Sequence, residues 1–478
     1  MPASPPTLVW LRDDLRLADN PALSAAVANA GSLVIVYVLD EMSEGIRPLG
    51  AAAKWWLHHS LAALDRDLST FGHSLVLRHG PAAEVIPALV DATGADRVTW
   101  NRRYGGGERA VDTAIKAELK QKGVRVDSFQ ANLLCEPWTV RTQADQPFRV
   151  YTPFWKACRA HLPPRLPLPR PDALPSPIRS VASDALASWR LLPSQQDWAG
   201  GLREAWTPGE AGATVRFETF RSERLQRYAR QRDEPAAEAS SRLSPHLRFG
   251  EISPFQLWHG LSQPRPSDED QADTANVDKF LSEIGWREFS WHLLYHQPDL
   301  ASRNFQPRFD AFPWPAVDHN ALTAWRRGRT GFPIIDAGMR ELWRTGWMHN
   351  RVRMIVASFL IKNLLIDWRV GEAWFWDTLV DADAANNPAS WQWVAGSGAD
   401  AAPYFRVFNP LLQSEKFDPG GAYIRTHVPE LAGLDARSIH NPAKAGGIAG
   451  YPDPIVDLGV TRERALRAFS RLRSGDEE

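Results

Sequence analysis

Hydrophobic and polar positions follow two regimes along this chain. Up to about residue 135, short runs of strand length, Leu8–Leu11, Leu33–Leu39, Ser74–Leu77 and Arg97–Trp100, are separated by segments of helical period, Asn20–Ala30, Ala51–Phe71, Pro81–Thr93 and Glu108–Lys122. The first of these helices is introduced by Asp19-Asn20-Pro21 and the last stops before Gly123, residues that favour helix starts and stops. Strands alternating with helices predict a doubly wound parallel sheet, an α/β domain over residues 1–135. No G-x-G-x-x-G follows the first strand. Gly105-Gly106-Gly107, between a strand and the helix from Glu108, reads either as a plain loop or as a place where backbone approaches a ligand.

From Glu136 to Pro208 the alternation stops. His161–Ser180 holds seven prolines in twenty residues and reads as an extended linker, residues 136–208, rather than a further folded unit. From Gly209 nearly everything has helical period and strand signals vanish, which predicts a large all-α domain over 209–478. Within it Ser267–Asp273 reads as a polar loop, and the last five residues as a short charged tail. The stretch Thr345–Phe408 collects most of the chemistry-bearing side chains. Two apolar helical segments, around Val352–Leu365 and Glu372–Leu379, precede a polar turn at Asp381–Asn387 and then Trp391-Gln392-Trp393. A hydrophobic frame that also carries Arg353, Asp381, Asp383 and Asn387 must pair those groups or offer them to a ligand, because unpaired burial is costly.

Composition narrows the class. A chain of 478 residues, 44% hydrophobic and 23% charged, is expected to be globular with two or three domains. Apolar runs such as Leu33–Leu39 fall well short of the roughly 18 residues a membrane span needs, so no membrane partner is expected. The start, MPASPPTLVW, lacks a basic segment followed by a long apolar one, and only Cys135 and Cys158 are present, which points to a reducing cytoplasm. A net charge of −1 leaves nucleic-acid binding to local patches. One is available: Ala321–Val370 holds Arg326, Arg327, Arg329, Arg340, Arg344, Arg351, Arg353, Lys362 and Arg369 against Asp336, Glu341 and Asp367, either a solvated helical face or an anion-binding surface. Tryptophan is unusually frequent, 21 residues, and a dense set serves core packing or a chain of oxidisable rings.

Five motifs in order carry a family resemblance: Val9-Trp10-Leu11-Arg12-Asp13-Asp14-Leu15-Arg16, Ser240-Ser241-Arg242-Leu243-Ser244-Pro245-His246-Leu247, Glu283-Ile284-Gly285-Trp286-Arg287-Glu288-Phe289, Thr330-Gly331-Phe332-Pro333 running on to Gly346-Trp347-Met348-His349-Asn350-Arg351, and Asp381–Asn409. Together they resemble the DNA photolyase/cryptochrome flavoproteins over essentially the whole chain. The resemblance implies an α/β domain, a connector and a helical domain holding FAD. Its FAD contacts fall on Tyr228, Ser240, Ser241, Leu243, Ser244, Arg287, Asn350, Arg353, Asp381, Asp383 and Asn387. The serines suit a pyrophosphate and equally a helix N-cap box. Arg353 and Asp381 are expected to pair beside the isoalloxazine. Asn387, or Asn386 one position earlier, would face flavin N5, since a carboxamide offers both a donor and an acceptor.

The resemblance further implies a substrate, UV-damaged DNA containing pyrimidine dimers, taken by Glu283, Trp286, Asn350 and Met354. Glu283 would hydrogen-bond the thymine carbonyls and Trp286 would stack on the dimer. The absence of a histidine pair around Met348-His349-Asn350 favours cyclobutane dimers over (6-4) photoproducts. Excited FADH⁻ would give an electron to the extruded dimer and recover it after the ring splits. Trp391, Trp368 and Trp314 match the family's electron-transfer chain, while Arg344 and Arg351 would contact DNA phosphates. Glu108 matches the position that holds an antenna folate, so methenyltetrahydrofolate is the first choice, with a deazaflavin, another antenna or a plain helix-start acid as alternatives. No metal motif is present, and a monomer is expected. The string Asn387–Asp400 is closest to the photolyases near plant cryptochromes, which keeps a blue-light sensor as the alternative function; the short tail argues against it.

Overall fold

The computed structural model describes residues 5–178, 181–262, 271–401 and 405–474. Part of the expected Ser267–Asp273 loop and nearly all of the charged tail lie outside the described residues. The chain forms two compact units. One comprises residues 1–199, 206–223 and 241–298; the other comprises 200–205, 224–240 and 299–478.

The first unit is built on a parallel sheet of β1 (Pro6–Leu11), β2 (Ser32–Leu39), β3 (Val76–His79), β4 (Arg97–Asn101) and β5 (Arg125–Phe129), in the order β3-β2-β1-β4-β5. The helices α1 (Pro21–Asn29), α2 (Ala51–Ser69), α3 (Ala82–Thr93) and α4 (Gly106–Gln121) connect them. This is the expected doubly wound fold, with the strand order reversing between β1 and β4. β1 and β2 are apolar and buried nearly end to end, as strands covered on both faces must be. Asn20 caps α1 by accepting from the Leu23 N–H. The fifth strand, Arg-Val-Asp-Ser-Phe, gave no sequence signal. It is an edge strand with no fully buried residue, so no apolar run marks it.

The connector is more structured than its proline content implies. It contains the helix α5 (Tyr151–Arg159) and a two-residue strand, β6 (Ser176–Pro177). β6 pairs with Ser32 and Leu33 of β2, whose pairing with β3 begins only at Val36. The same unit takes in Ser244–Arg248, Pro254–Ser262 and the long helix Gln271–His296. Directed polar contacts hold them there. Arg16 donates to the Gly250 carbonyl at 2.8 Å, Trp56 to Glu251 at 2.9 Å, and the Cys135 N–H to Glu288 at 3.1 Å.

The second unit is helical, with no strand among its described residues. Its core gathers Trp325, Ile335, Val352, Val356, Leu360, Trp368, Phe375 and Trp391. The helix Pro333–Thr345 stops at Gly346, whose φ of 65° is the left-handed conformation that glycine adopts without strain. His349 and Asp367 cap the helices Asn350–Ser358 and Trp368–Thr378. Gly371 sets the approach of the latter to the helix Asn386–Ala395: a Cβ there would lie 2.2 Å from the Trp391 ring.

Candidate active site

In the first unit the candidate residues stand on the helix Gln271–His296. Glu283, Trp286 and Arg287 follow one another at helical spacing, so they share a face. Between them Gly285 permits α5 to lie close, because a Cβ there would be 2.6 Å from the Trp155 ring. Tyr151 of α5 stacks face to face on Trp286, ring centroids 3.7 Å apart and planes 10° apart. Its hydroxyl donates to the Ser282 carbonyl at 2.6 Å. Tyr151 thus fixes the Trp286 plane; the sequence reading missed it because it sits in a segment taken as linker. Glu283 pairs with Lys279, one turn earlier, at 3.3 Å. Arg287 donates to the Asn132 carbonyl at 2.7 Å. Beside it Glu288 is buried, and desolvation, only partly offset by Arg287 and backbone donors, pushes its carboxyl up to about 7.

The serine motif does not form the N-cap box that was the alternative reading. The helix there runs Ser244–Arg248, its N-cap is Leu243, and no side chain caps it. Ser241 Oγ is only 3.4 Å from the Leu243 N–H, and Arg242 takes a φ of 52°. In the second unit Ser240 offers its carbonyl to Arg224 at 3.5 Å, and Tyr228 is buried beneath Arg232.

The polar turn Asp381–Asn387 and the helix Asn350–Ser358 form the densest cluster. Arg353 and Asp381 make the expected two-pronged pair at 3.1 and 2.8 Å, and Arg353 Nε donates to the Met348 carbonyl at 2.7 Å. Asp383 accepts from the Ala385 and Asn386 N–H groups at 2.8 and 2.5 Å, and from the Asn386 side chain at 2.7 Å. Asn386 is therefore tied back to the turn. Asn387 is buried, and its Nδ2 donates to the Glu372 carboxylate at 2.8 Å and the Glu372 carbonyl at 3.1 Å. With the donor end held by Glu372, the Asn387 carbonyl oxygen is the end left to a ligand. Glu372 is the second residue that sequence reasoning missed, having read it only as the edge of an apolar helix. Asn350 is exposed at the helix start, and Met354 is partly buried with its sulfur 3.8 Å from Arg351.

Trp391 and Trp368 are buried in one core; Trp314 packs against that core and against a second cluster that includes Phe312 and Phe405. Trp391 meets Phe375 edge-on at 4.9 Å, Trp368 donates to Asn304 at 2.9 Å, and Trp314 lies 4.3 Å from Phe312. The basic stretch is less available than its charge count suggests. Arg340 pairs with Glu430, Arg351 with Asp233, Arg353 with Asp381 and Arg369 with Asp367. Lys362 is buried, and desolvation lowers its ammonium pKa to about 7. Arg327, Arg329 and Arg344 remain exposed. In the first unit the Gly105–Gly107 turn resolves into close packing. A Cβ on Gly107 would fall 2.4 Å from the Gly45 carbonyl, and one on Gly105 would fall 2.0 Å from the Glu108 carboxylate, which folds over the helix start. No group of three or more His, Cys, Asp or Glu side chains suited to a metal occurs among the described residues.

The family pattern described as DNA photolyase matches residues 7–172, and that of the FAD binding domain of DNA photolyase matches 280–471. The chain is 51% identical to a deoxyribodipyrimidine photo-lyase of Agrobacterium fabrum over 98% of each protein. The chain belongs to the DNA photolyase/cryptochrome family. The crystal structure of a bacterial class III photolyase from Agrobacterium tumefaciens superposes with a TM-score of 0.92, at 50% identity and 98% coverage of both chains. Cryptochrome-1 of Arabidopsis thaliana is 37% identical over 98% of this chain and 70% of that protein. As in this family at large, a parallel-sheet α/β domain is followed by a helical FAD-binding domain. In the second unit the donor set fits a flavin: an arginine locked to a carboxylate and a buried amide whose nitrogen is held while its carbonyl oxygen is left to a ligand. Among the described residues no helix is long and apolar enough to cross a membrane.

Proposed function

We propose that the protein is a deoxyribodipyrimidine photolyase that splits cyclobutane pyrimidine dimers in UV-damaged DNA with light. The observation that carries this reading is the pairing of Glu283 with Trp286 on one helix face, the indole backed by Tyr151 at 3.7 Å. A fixed aromatic plane beside a carboxylate suits an extruded pyrimidine pair, which needs stacking and an acceptor for its imide N–H groups or, protonated, a donor to its carbonyls. Asn350 and Met354 are the further substrate residues of this reading.

FAD is held by Tyr228, Ser240, Ser241, Leu243, Ser244, Arg287, Asn350, Arg353, Asp381, Asp383 and Asn387. Bound and fully reduced, it supplies on absorbing light the electron that opens the cyclobutane ring, and takes it back afterwards. The chain's own residues prepare that chemistry. Glu372 holds the Asn387 amide nitrogen, so that the Asn387 carbonyl would be the end to accept a hydrogen bond from a flavin N–H. Arg353, clamped by Asp381 and the Met348 carbonyl, holds a positive charge in a fixed plane. Trp391, Trp368 and Trp314 serve as the path by which oxidised FAD is photoreduced. Arg344 and Arg351 contact DNA phosphates. A second chromophore, methenyltetrahydrofolate, sits at Glu108 as the antenna. The division by sequence pattern, 1–135, 136–208 and 209–478, marks regions of antenna binding, connection and FAD and DNA binding in this reading and does not coincide with the two compact units, since 241–298 group with the sheet; the protein acts as a cytoplasmic monomer.

The pocket assignment is tested by Glu283→Ala. Repair of UV-irradiated oligo(dT) is expected to fall while FAD stays bound; unchanged repair would remove Glu283 from the site.

A further inference from the structure

Among the arginines of the basic stretch, Arg351 is held in a way the others are not. Its guanidinium lies over the Phe417 ring, 4.4 Å from the centroid, and its NH1 is 3.8 Å from the Met354 sulfur. Its Nε is buried with no partner. The only oxygen bonded to this side chain among the described residues belongs to Asp233, at 2.8 Å from NH2. Ring and sulfur therefore fix the arm, while a single N–H of the five makes the ionic contact. The partner is correspondingly loose. Asp233 lies in a turn, its side chain 40% exposed, and its other oxygen is 3.8 Å from Arg232 Nε. Asp381, by contrast, grips Arg353 with both oxygens from a buried position with 4% exposure, and Glu430 grips Arg340 with two.

We infer that Asp233 is a displaceable counter-ion of Arg351, occupying in the free protein the place that a DNA phosphate takes on binding. This rests on the reading above that Arg351 contacts phosphate. A partly exposed single-contact pair is weak, so a phosphate oxygen competes for the donor successfully, yet the displaced carboxylate stays near and repels the phosphodiester. Asp233 thereby lowers affinity for DNA without touching the lesion. Phosphate contacts carry no base information, so damaged and undamaged strands are affected alike.

The test is binding in the dark of UV-irradiated and untreated oligonucleotides to the FAD-loaded protein, by fluorescence anisotropy over a range of salt. Asp233→Asn, isosteric at an exposed turn, is expected to tighten both by about fivefold at low salt, the gain shrinking as salt rises. Repair rate at saturating DNA is expected to stay unchanged. Arg351→Ala is expected to weaken both and flatten the salt dependence by about one unit of slope. In the double variant the gain from Asp233→Asn is expected to vanish. Weaker or unchanged binding by Asp233→Asn, with Arg351→Ala impaired, would overturn the inference and make Asp233 a support for Arg351. A gain that persists without Arg351 would also overturn it, as a general charge effect. If Arg351→Ala alone binds normally, the phosphate assignment of Arg351 is what fails.

Discussion

Gly371→Ala gives the sharpest test of how the helical unit carries its tryptophans. The added methyl would fall 2.2 and 2.4 Å from two carbons of Trp391 and 2.6 Å from a Leu360 methyl. Ordinary contacts begin near 3.4 Å, so something must shift by about 1 Å, and both Trp391 and Leu360 are themselves packed in the core. The Trp391 ring cannot simply rotate away, being held edge-on by Phe375 at 4.9 Å and by Trp325 at 6.4 Å. Overpacking of this kind costs about 1–3 kcal/mol, and the close approach to three atoms puts this case near 3 kcal/mol. For a cooperative unit of about 200 residues that corresponds to a fall in Tm of roughly 6–12 °C. Because the atom that must move belongs to Trp391, photoreduction of bound FAD under blue light is expected to slow as well. The control is Gly420→Ala, where a Cβ would meet nothing within 4 Å, and which should leave both readouts within error. A Gly371→Ala protein with unchanged Tm and normal photoreduction would refute the packing described for the helices Trp368–Thr378 and Asn386–Ala395.

Two further expectations follow from the charged groups. Asp381→Asn leaves Arg353 partly buried and without its counter-charge, a loss of about 2–3 kcal/mol once the guanidinium's 24% exposure is allowed for. FAD retention on gel filtration, read as the ratio of flavin to protein absorbance, should drop accordingly, and full retention would remove the pair from the cofactor site. Glu288 titrates near 7 in the folded protein against an ordinary value of 4.5, so the native state binds its proton more readily than the unfolded chain. Its contribution to stability is fully present below about pH 4.5, is lost as pH rises toward 7, and above that is a constant cost on the order of 3 kcal/mol. Urea unfolding of the wild type and Glu288→Gln at pH 5 and 8 should therefore show the difference between them growing in favour of the variant at the higher pH; parallel behaviour would contradict the buried carboxyl.

The sheet was legible because β1 and β2 carry nearly continuous apolar runs and shorter ones mark β3 and β4, all set between helices, and the helical half because nearly all of its apolar pattern has helical period. β5 was not, since an edge strand with only partly buried residues carries no apolar run. α5 was hidden by its surroundings: nine residues with a tyrosine and a tryptophan, placed just before a proline-rich segment. The cost of burying Arg353 or Asp381 alone required only that each find a partner or a ligand; their pairing was what the family resemblance implied, and it is present. Glu372 and Tyr151 escaped because each acts on a partner in another helix, Asn387 and Trp286, and no local pattern encodes such a contact. Conversely, the arginine-rich stretch promised more free charge than the fold leaves, since carboxylates such as Glu430 and Asp233 arrive from distant segments.

The most direct test of the account is recovery of absorbance near 260 nm in UV-irradiated oligo(dT) incubated with the reduced, FAD-loaded protein, with and without blue or near-UV light. Recovery that requires both light and reduced flavin is the predicted result. No recovery, with flavin shown to be bound and reduced, would contradict dimer repair and turn the reading toward a (6-4) substrate or a light sensor.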